Sequence, residues 1–197
     1  MVKEPTAGRV KTRLANEVGA VRATAFYRAT SRAVLARLSR RGAWCIELGV
    51  TPDCAVTSPA LPHGFARRAQ GNGDLGARMQ RLMDVSPPGP LIVIGTDVPT
   101  IKSEHIHSAI KALGAHDAVL GPSPDGGYWL VGLKRRPRVP RAFDSVAWSS
   151  PAALEQTVAN LSGLKVARIA SLPDVDEARD LAFVKGAVGR IILPPGS

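Results

Sequence analysis

Four things are scarce in this sequence, and each scarcity closes off a class of function. Two cysteines, Cys45 and Cys54, occur in 197 residues. Without metal-ligand neighbours they give neither a disulfide framework nor a zinc site, and free thiols in a reducing cytoplasm are expected. Aromatic residues make up 5% of the chain, too few to build stacking platforms for nucleic-acid bases. No apolar run reaches the roughly 18–20 residues that a membrane span needs. The start is polar and basic, without the apolar segment of a signal peptide, so a cytoplasmic protein is expected. Histidines number four. His105 and His107 stand two apart on an expected helix and face different directions, so they are no metal pair. His63 and His116 have no visible partners, and no Ser-His-Asp or Cys-His arrangement can be argued.

What remains is ordinary globular composition, 45% hydrophobic and 21% charged, over a length that suits one domain, 1–197. The net charge of +10 is unevenly spread. Residues 1–41 hold ten Lys or Arg against two acids, Glu4 and Glu17. KRRPRVPR (134–141) adds five basic residues and no acid, and the rest of the chain is slightly acidic. Arg22, Arg28, Arg32, Arg37, Arg40 and Arg41 read as a solvated helix face. With few aromatics to stack bases, a nucleic-acid partner is disfavoured.

The elements alternate. Roughly 13–41 reads as a helix ended by Gly42. WCIELGV (44–50) reads as a strand, 51–64 as loop, and QGNGDLGARM (70–79) as a glycine loop entering a helix to about 85. LIVIG (91–95) is a continuous apolar run between turns, which predicts a buried central strand. SEHIHSAIKALG (103–114) predicts a helix between a Ser103 N-cap and a Gly114 C-cap. DAVLGP (117–122) and YWLVGL (128–133) are strands. SSPAALEQTVANL (149–161) is a helix with a serine cap, KVARIA (165–170) a strand, and DVDEARDLAFVKG (174–186) a helix capped near Asp174 or Asp176. Such alternation predicts an α/β layered fold with a largely parallel sheet, whose ligands bind in the loops after strands.

Several motifs need weighing. GNGDLG (71–76) is a literal G-x-G-x-x-G, but FARRAQ before it does not read as the buried strand of a dinucleotide site. GRVKT (8–12) is not a Walker loop, because its Gly stands too far from Lys-Thr. In KEPTAGRVKTRL (3–14), Lys3, Arg9, Lys11 and Arg13 crowd around Pro5 and Gly8. Neither helix nor strand suits that mixture, and basic small-residue loops often hold phosphates. Asp97 follows the apolar run in a turn set by Gly95 and Pro99. A carboxylate there can hold a divalent cation that is shared with phosphate oxygens, or cap nearby amides. Asp174 and Asp176 divide between helix N-cap and metal ligand. Asp125-Gly126-Gly127 between two strands is a tight turn or a place of close ligand approach.

Taken together, KEPTAGRVKTRL, QGNGDLGARM, LIVIGTDVP, DAVLGPSPDGGYWLVGL, AWSSPAALEQT and LPDVDEARDL resemble one family over about residues 3–182. It is a family of small bacterial glycosyltransferase-A-like proteins in the nucleotide-diphospho-sugar transferase superfamily, in some cases ascribed to arsenosugar biosynthesis. Molybdenum-cofactor and phospholactate guanylyltransferases are similar at a greater distance. The resemblance implies a three-layer Rossmann-like α/β fold with a mostly parallel mixed sheet. It implies a Mg²⁺- or Mn²⁺-dependent transferase that takes a nucleotide-diphospho-sugar and passes the glycosyl group to a small acceptor. The alternatives are nucleotidyl transfer with pyrophosphate release and an inactive nucleotide-binding protein. In the family's scheme Gly8, Arg9, Lys11 and Arg13 would cradle the phosphates, while Gln70, Gly71 and Gly73 would lie beside base and ribose. Asp97 with Asp174 or Asp176 would hold the metal, and Asp125, Gly126 and Gly127 would line the sugar or acceptor side. Lys11, Asp97 and Asp125 are thus the candidate catalytic residues. Trp148 and Ser149 match the family's Trp-Ser. Partners would be the nucleotide, its acceptor and at most a second copy of the chain. One departure stands out: only Met1 and Val2 precede Lys3, where the family has a hydrophobic strand. The first strand is therefore expected to be truncated and its loop to lack an anchor.

Overall fold

The computed structural model describes residues 1–40 and 44–184. The expected helix end at Gly42, Arg41 beside it, and the expected helix end at Gly186 lie outside the described residues. Two compact units form. One holds Val2–Ala69, Thr96–Lys102 and the chain from Pro173; the other holds Met1, Gln70–Gly95 and Ser103–Leu172. The α/β class expected from the alternation of elements holds, with parallel and antiparallel pairing both present.

The unit that carries the opening loop is built on three parallel strands in the order β1 (Val2–Lys3), β2 (Glu47–Thr51), β3 (Ala66–Ala69). The first strand is two residues long, and the loop after it, expected to lack an anchor, is anchored. Val2 pairs with Val50 and Lys3 with Thr51, and the Lys3 amide donates to the Tyr27 hydroxyl at 2.8 Å. β3 falls within FARRAQ, and it is not the buried strand that a dinucleotide site would need. It is an edge strand with two adjacent arginines and little buried surface, so it shows no apolar alternation to read. Against this sheet lies α2 (Ala20–Ser39), through Leu35, and α1 (Thr12–Val18) packs on α2 through Leu14. The single expected helix breaks at Gly19, whose φ of 87° leaves the helical region. α2 buries Ala23, Phe26, Tyr27, Thr30, Val34, Leu35 and Leu38, a stripe at helical spacing. Arg37 departs from the expected solvated face: it donates to the carbonyls of Pro99 and Ile101.

The other unit centres on a four-stranded sheet ordered β4 (Leu91–Ile94), β6 (Tyr128–Leu133), β5 (Ala118–Pro122), β7 (Val166–Arg168). β6 is antiparallel to β4 and to β5, while β5 and β7 are parallel. The turn between β5 and β6 is too short for a crossover, which forces the antiparallel pair. LIVIG is therefore an edge strand of this sheet, not a central one. An apolar run reports how well a strand's faces are covered and says nothing of how many edges are paired. α3 (Leu75–Val85) and α5 (Ala153–Asn160) share a core with Val93, Leu120, Val131 and Leu133. On the other face α4 (Ser103–Ala115) packs Leu113 against Gly132. The alternation Val131, Gly132, Leu133 sorts the two faces.

Helix ends differ from the expected caps. Ser103 and Gly114 both lie inside α4, and α5 begins at Ala153 without a side-chain cap. Ser150 instead forms a turn, accepting from the Ala152 amide at 3.3 Å and donating to the Ala147 carbonyl at 2.7 Å. The expected helix from 174 is a 3-10 stretch, Ala178–Val184, and the amides of Asp176 and Glu177 before it are tied by the Asp180 carboxylate. Among the described residues no helix is long and apolar enough to cross a membrane.

Candidate functional site

The opening loop leaves β1 through a turn in which the Arg9 amide donates to the Thr6 carbonyl at 3.0 Å. Val10 is buried, and Lys11 follows with φ 46° and ψ 52°. A left-handed backbone is costly for a residue with a Cβ, by roughly 1–2 kcal/mol, so something must hold it there. Two things do. The Lys11 carbonyl accepts from Ala15 to start α1, and the side chain turns inward until it is 5% exposed.

The second component is the turn after β4. Val98 and Ile101 are buried, Ser31 on α2 lies 3.3 Å from the Thr96 hydroxyl, and Arg37 clamps the carbonyls of Pro99 and Ile101. Asp97 sits between these ties with its carboxylate half-exposed. The third component is the stretch before the 3-10 turn. Val175 is buried against Leu14 and Phe26, and the Asp180 carboxylate accepts from the amides of Asp176 and Glu177 at 3.0 and 2.8 Å. That arrangement leaves the Asp176 carboxylate free of capping work.

The three components meet at one ammonium. Lys11 Nζ donates to Asp97 Oδ2 at 3.0 Å and to Asp176 Oδ1 at 2.9 Å, and Arg13 reaches Asp176 Oδ2 at 3.5 Å. Burial alone would drive Lys11 towards its neutral form, but the two carboxylates outweigh it and hold the amine well above its ordinary value. Burial likewise opposes the Asp97 charge, and the Lys11 ammonium overcomes this and holds the carboxyl below its usual range. The donor set suits a divalent ion only in company. Two carboxylates converge on one cationic point, and no third His, Cys, Asp or Glu joins them among the described residues. Mg²⁺ is commonly held by one or two carboxylates with substrate phosphates supplying the remainder, and Asp97 with Asp176 fits that pattern.

The profile of a family described as an uncharacterized protein conserved in bacteria, DUF2064, matches residues 34–150, more than half of the chain. The chain belongs to the DUF2064 family. Among solved structures it is similar to a protein from Desulfovibrio desulfuricans G20 provisionally described as a nucleotide-diphospho-sugar transferase. The two share 28% identity and a TM-score of 0.84, over 100% of this chain and 88% of the other. Comparison with curated proteins gives no match. The DUF2064 match spans Asp97 but neither Lys11 nor Asp176, so the three-residue centre draws on segments on both sides of it.

The remaining predicted residues of this DUF2064 member lie as follows. Gly8, Arg9 and Arg13 are exposed in the same loop and first helical turn as Lys11. Asp174 is two residues before Asp176 and makes no three-carboxylate group with it and Asp97. Gln70, Gly71 and Gly73 belong to the other unit. Arg81 donates to the carbonyls of Gln70 at 2.6 Å and Asn72 at 3.0 Å, and its guanidinium occupies the space that a Cβ on Gly71 would need. Asp125, Gly126 and Gly127 are also in that unit, in a self-contained turn. Asp125 Oδ1 accepts from the Gly127 amide at 3.0 Å, and Gly126, with φ 85°, lies directly against the backbone of Pro151. The need for glycine at 126 is thus met by packing within the protein. Trp148 packs on Gly76, where a Cβ would stand 2.7 Å from its ring. A cavity of about 500 Å³ lies between α3 and residues 141–145, lined by Gln80, Arg81, Asp84 and Arg141 among others and by none of the predicted site residues.

Sequence reasoning missed the supports: Ser31, Arg37 and Asp180. Arg37 sits on the helix's half-buried flank, which its neighbours Val34, Leu35 and Leu38 could have signalled. For Asp180 the signal was a carboxylate three and four residues beyond two amides that needed a partner.

Proposed function

We propose that this protein is a divalent-metal-dependent transferase that takes a nucleotide-diphospho-sugar and transfers the glycosyl group to a small acceptor. One observation carries the reading: Lys11, Asp97 and Asp176, from three distant stretches of chain, converge within 3.0 Å contacts. The likeness to a protein provisionally described as a nucleotide-diphospho-sugar transferase supports it. Asp97 and Asp176 would hold Mg²⁺ or Mn²⁺, which when bound offsets the charge of the leaving diphosphate. Gly8, Arg9 and Arg13 would receive phosphate oxygens, since charge-assisted bonds from arginine are strong and directional. Asp174, two residues from Asp176, would be the reserve carboxylate of the metal site. Gln70, Gly71 and Gly73 would contact the nucleoside, and Asp125, Gly126 and Gly127 the sugar or acceptor. The narrower role in arsenosugar formation belongs to this proposal as one choice of acceptor.

Nucleotidyl transfer is the second reading. The same cations would neutralise charge at an attacked α-phosphate. The test is a panel of nucleotide sugars and nucleoside triphosphates with Mn²⁺, read by product. Release of nucleoside diphosphate supports glycosyl transfer, and release of pyrophosphate supports the second reading. Binding without turnover, seen as a thermal shift worth about 2.7 kcal/mol at 100 times the dissociation constant, would leave a nucleotide-binding protein without catalysis.

A further inference from the structure

The Lys11 ammonium sits where a shared cation would sit. It is the point on which Asp97 Oδ2 and Asp176 Oδ1 converge, at 3.0 and 2.9 Å. Each carboxylate therefore spends one oxygen on an internal cation. Asp176 Oδ2 has a second, solvent-exposed cation, Arg13, at 3.5 Å. Two negative charges are matched by a buried positive charge and an exposed one. A divalent ion added to the pair while Lys11 stays would face a like charge at contact distance, and one carboxylate oxygen on each side would already be committed. The arrangement excludes sharing.

The backbone supplies the means of exchange. Lys11 holds a left-handed conformation, φ 46° and ψ 52°, at the junction of loop and α1. Such a conformation is unfavourable for lysine and persists where surrounding contacts over-determine it. The two ion pairs are the side-chain half of those contacts, and the Ala15 amide on the Lys11 carbonyl is the other. Without the ion pairs the side chain has nothing to hold it inward, and half of what maintains the unfavourable backbone is gone.

We propose that Lys11 is a displaceable counter-cation: it and a divalent metal occupy the Asp97–Asp176 pair in turn, never together. This rests on the reading of that pair as a metal site. The exchange releases an ammonium into a loop that already carries Arg9 and Arg13, so the metal's arrival adds one positive charge to the surface offered to phosphates. Lys11 is then a positioning residue whose absence frees the carboxylates.

The experiment is Mn²⁺ binding at neutral pH, measured by electron paramagnetic resonance on the full chain without nucleotide. Lys11→Met is expected to bind Mn²⁺ at least tenfold more tightly than the parent, and Lys11→Arg to bind it no better. Adding Asp97→Asn to Lys11→Met is expected to abolish the gain. Because Lys11→Met risks misfolding, the parent supplies an independent measurement. Acetylation of Lys11 by a water-soluble active ester, followed by mass spectrometry, is expected to quicken at least fivefold when Mg²⁺ is added. Equal Mn²⁺ affinity in parent and Lys11→Met, with Lys11 acetylation unchanged by Mg²⁺, would overturn the exchange and leave the metal reading standing. Absence of Mn²⁺ binding in every variant, Lys11→Met included, would overturn both.

Discussion

At the scale of single residues, Lys11 decides most. Removing one partner of a fully buried ion pair costs about 3–5 kcal/mol, and solvent access lowers that figure. The Asp97 and Asp176 carboxylates are 39% and 36% exposed. Lys11→Met is therefore expected to cost about 1–3 kcal/mol in urea unfolding, from two carboxylates left facing each other. Adding Asp97→Asn should recover part of the loss; strictly additive losses would show that the pair is not an energetic unit. Tyr128 gives a prediction in pH. Burial raises its hydroxyl above the ordinary 10.0, although the Thr157 hydroxyl at 3.3 Å acts in the opposite sense. A group whose folded value is raised keeps its full contribution below the unfolded value and loses it as pH rises towards the folded one. Stability should thus decline above about pH 10, and Tyr128→Phe should flatten that limb. Part of the slope should survive, because burial raises Tyr27 as well. Denaturation midpoints at about pH 9 and about pH 11 check this, and an unchanged slope in Tyr128→Phe removes that residue from the account.

At the scale of elements, two glycines with nearly the same φ separate strain from packing. Gly19, at φ 87°, has open space where a Cβ would stand, while Gly126, at φ 85°, meets the Pro151 backbone. Gly19→Ala is expected to cost about 1–3 kcal/mol, the strain alone. Gly126→Ala should cost at least about 2 kcal/mol more, because backbone cannot yield as a flexible side chain can. Thermal melts of the two variants decide; equal losses would mean that the turn at 126 moves away freely. The same comparison explains two element-level surprises. The break between α1 and α2 was marked in the sequence by Gly19, a residue that a helix tolerates poorly. The strand β3 was not marked, because Arg67 and Arg68 at a sheet edge show none of the alternation by which strands are recognised.

At the scale of the whole molecule, charge is the dominant feature. A net +10, most of it within the first 41 residues, should draw a polyphosphate to the opening loop. Nucleotide affinity is accordingly expected to fall severalfold between about 50 and about 200 mM salt, with Arg13→Ala weakening binding and reducing the salt dependence. Calorimetry across that range tests it, and an affinity indifferent to salt removes the loop from the binding surface. The second basic block contributes less than its sequence suggests. Arg135 is spent on the carbonyls of Met83, Ser86, Pro87 and Gly89, so it braces a turn instead of facing a ligand.

Composition and local order by themselves determined the α/β class, the helix over SEHIHSAIKALG and the prominence of Asp97. Each follows from patterns that a few neighbouring residues complete: an apolar period, a turn pair, a carboxylate after a buried run. Tertiary structure alone decided that Lys11 turns inward to Asp97 and Asp176, that Arg37 clamps the turn after β4, and that LIVIG lies at a sheet edge. The Lys11 contacts join residues 86 and 165 positions apart, and the Arg37 contact to Pro99 spans 62. No local period encodes such a contact, because it exists only once burial has brought three separate segments to one place and left a buried charge that must find its partners.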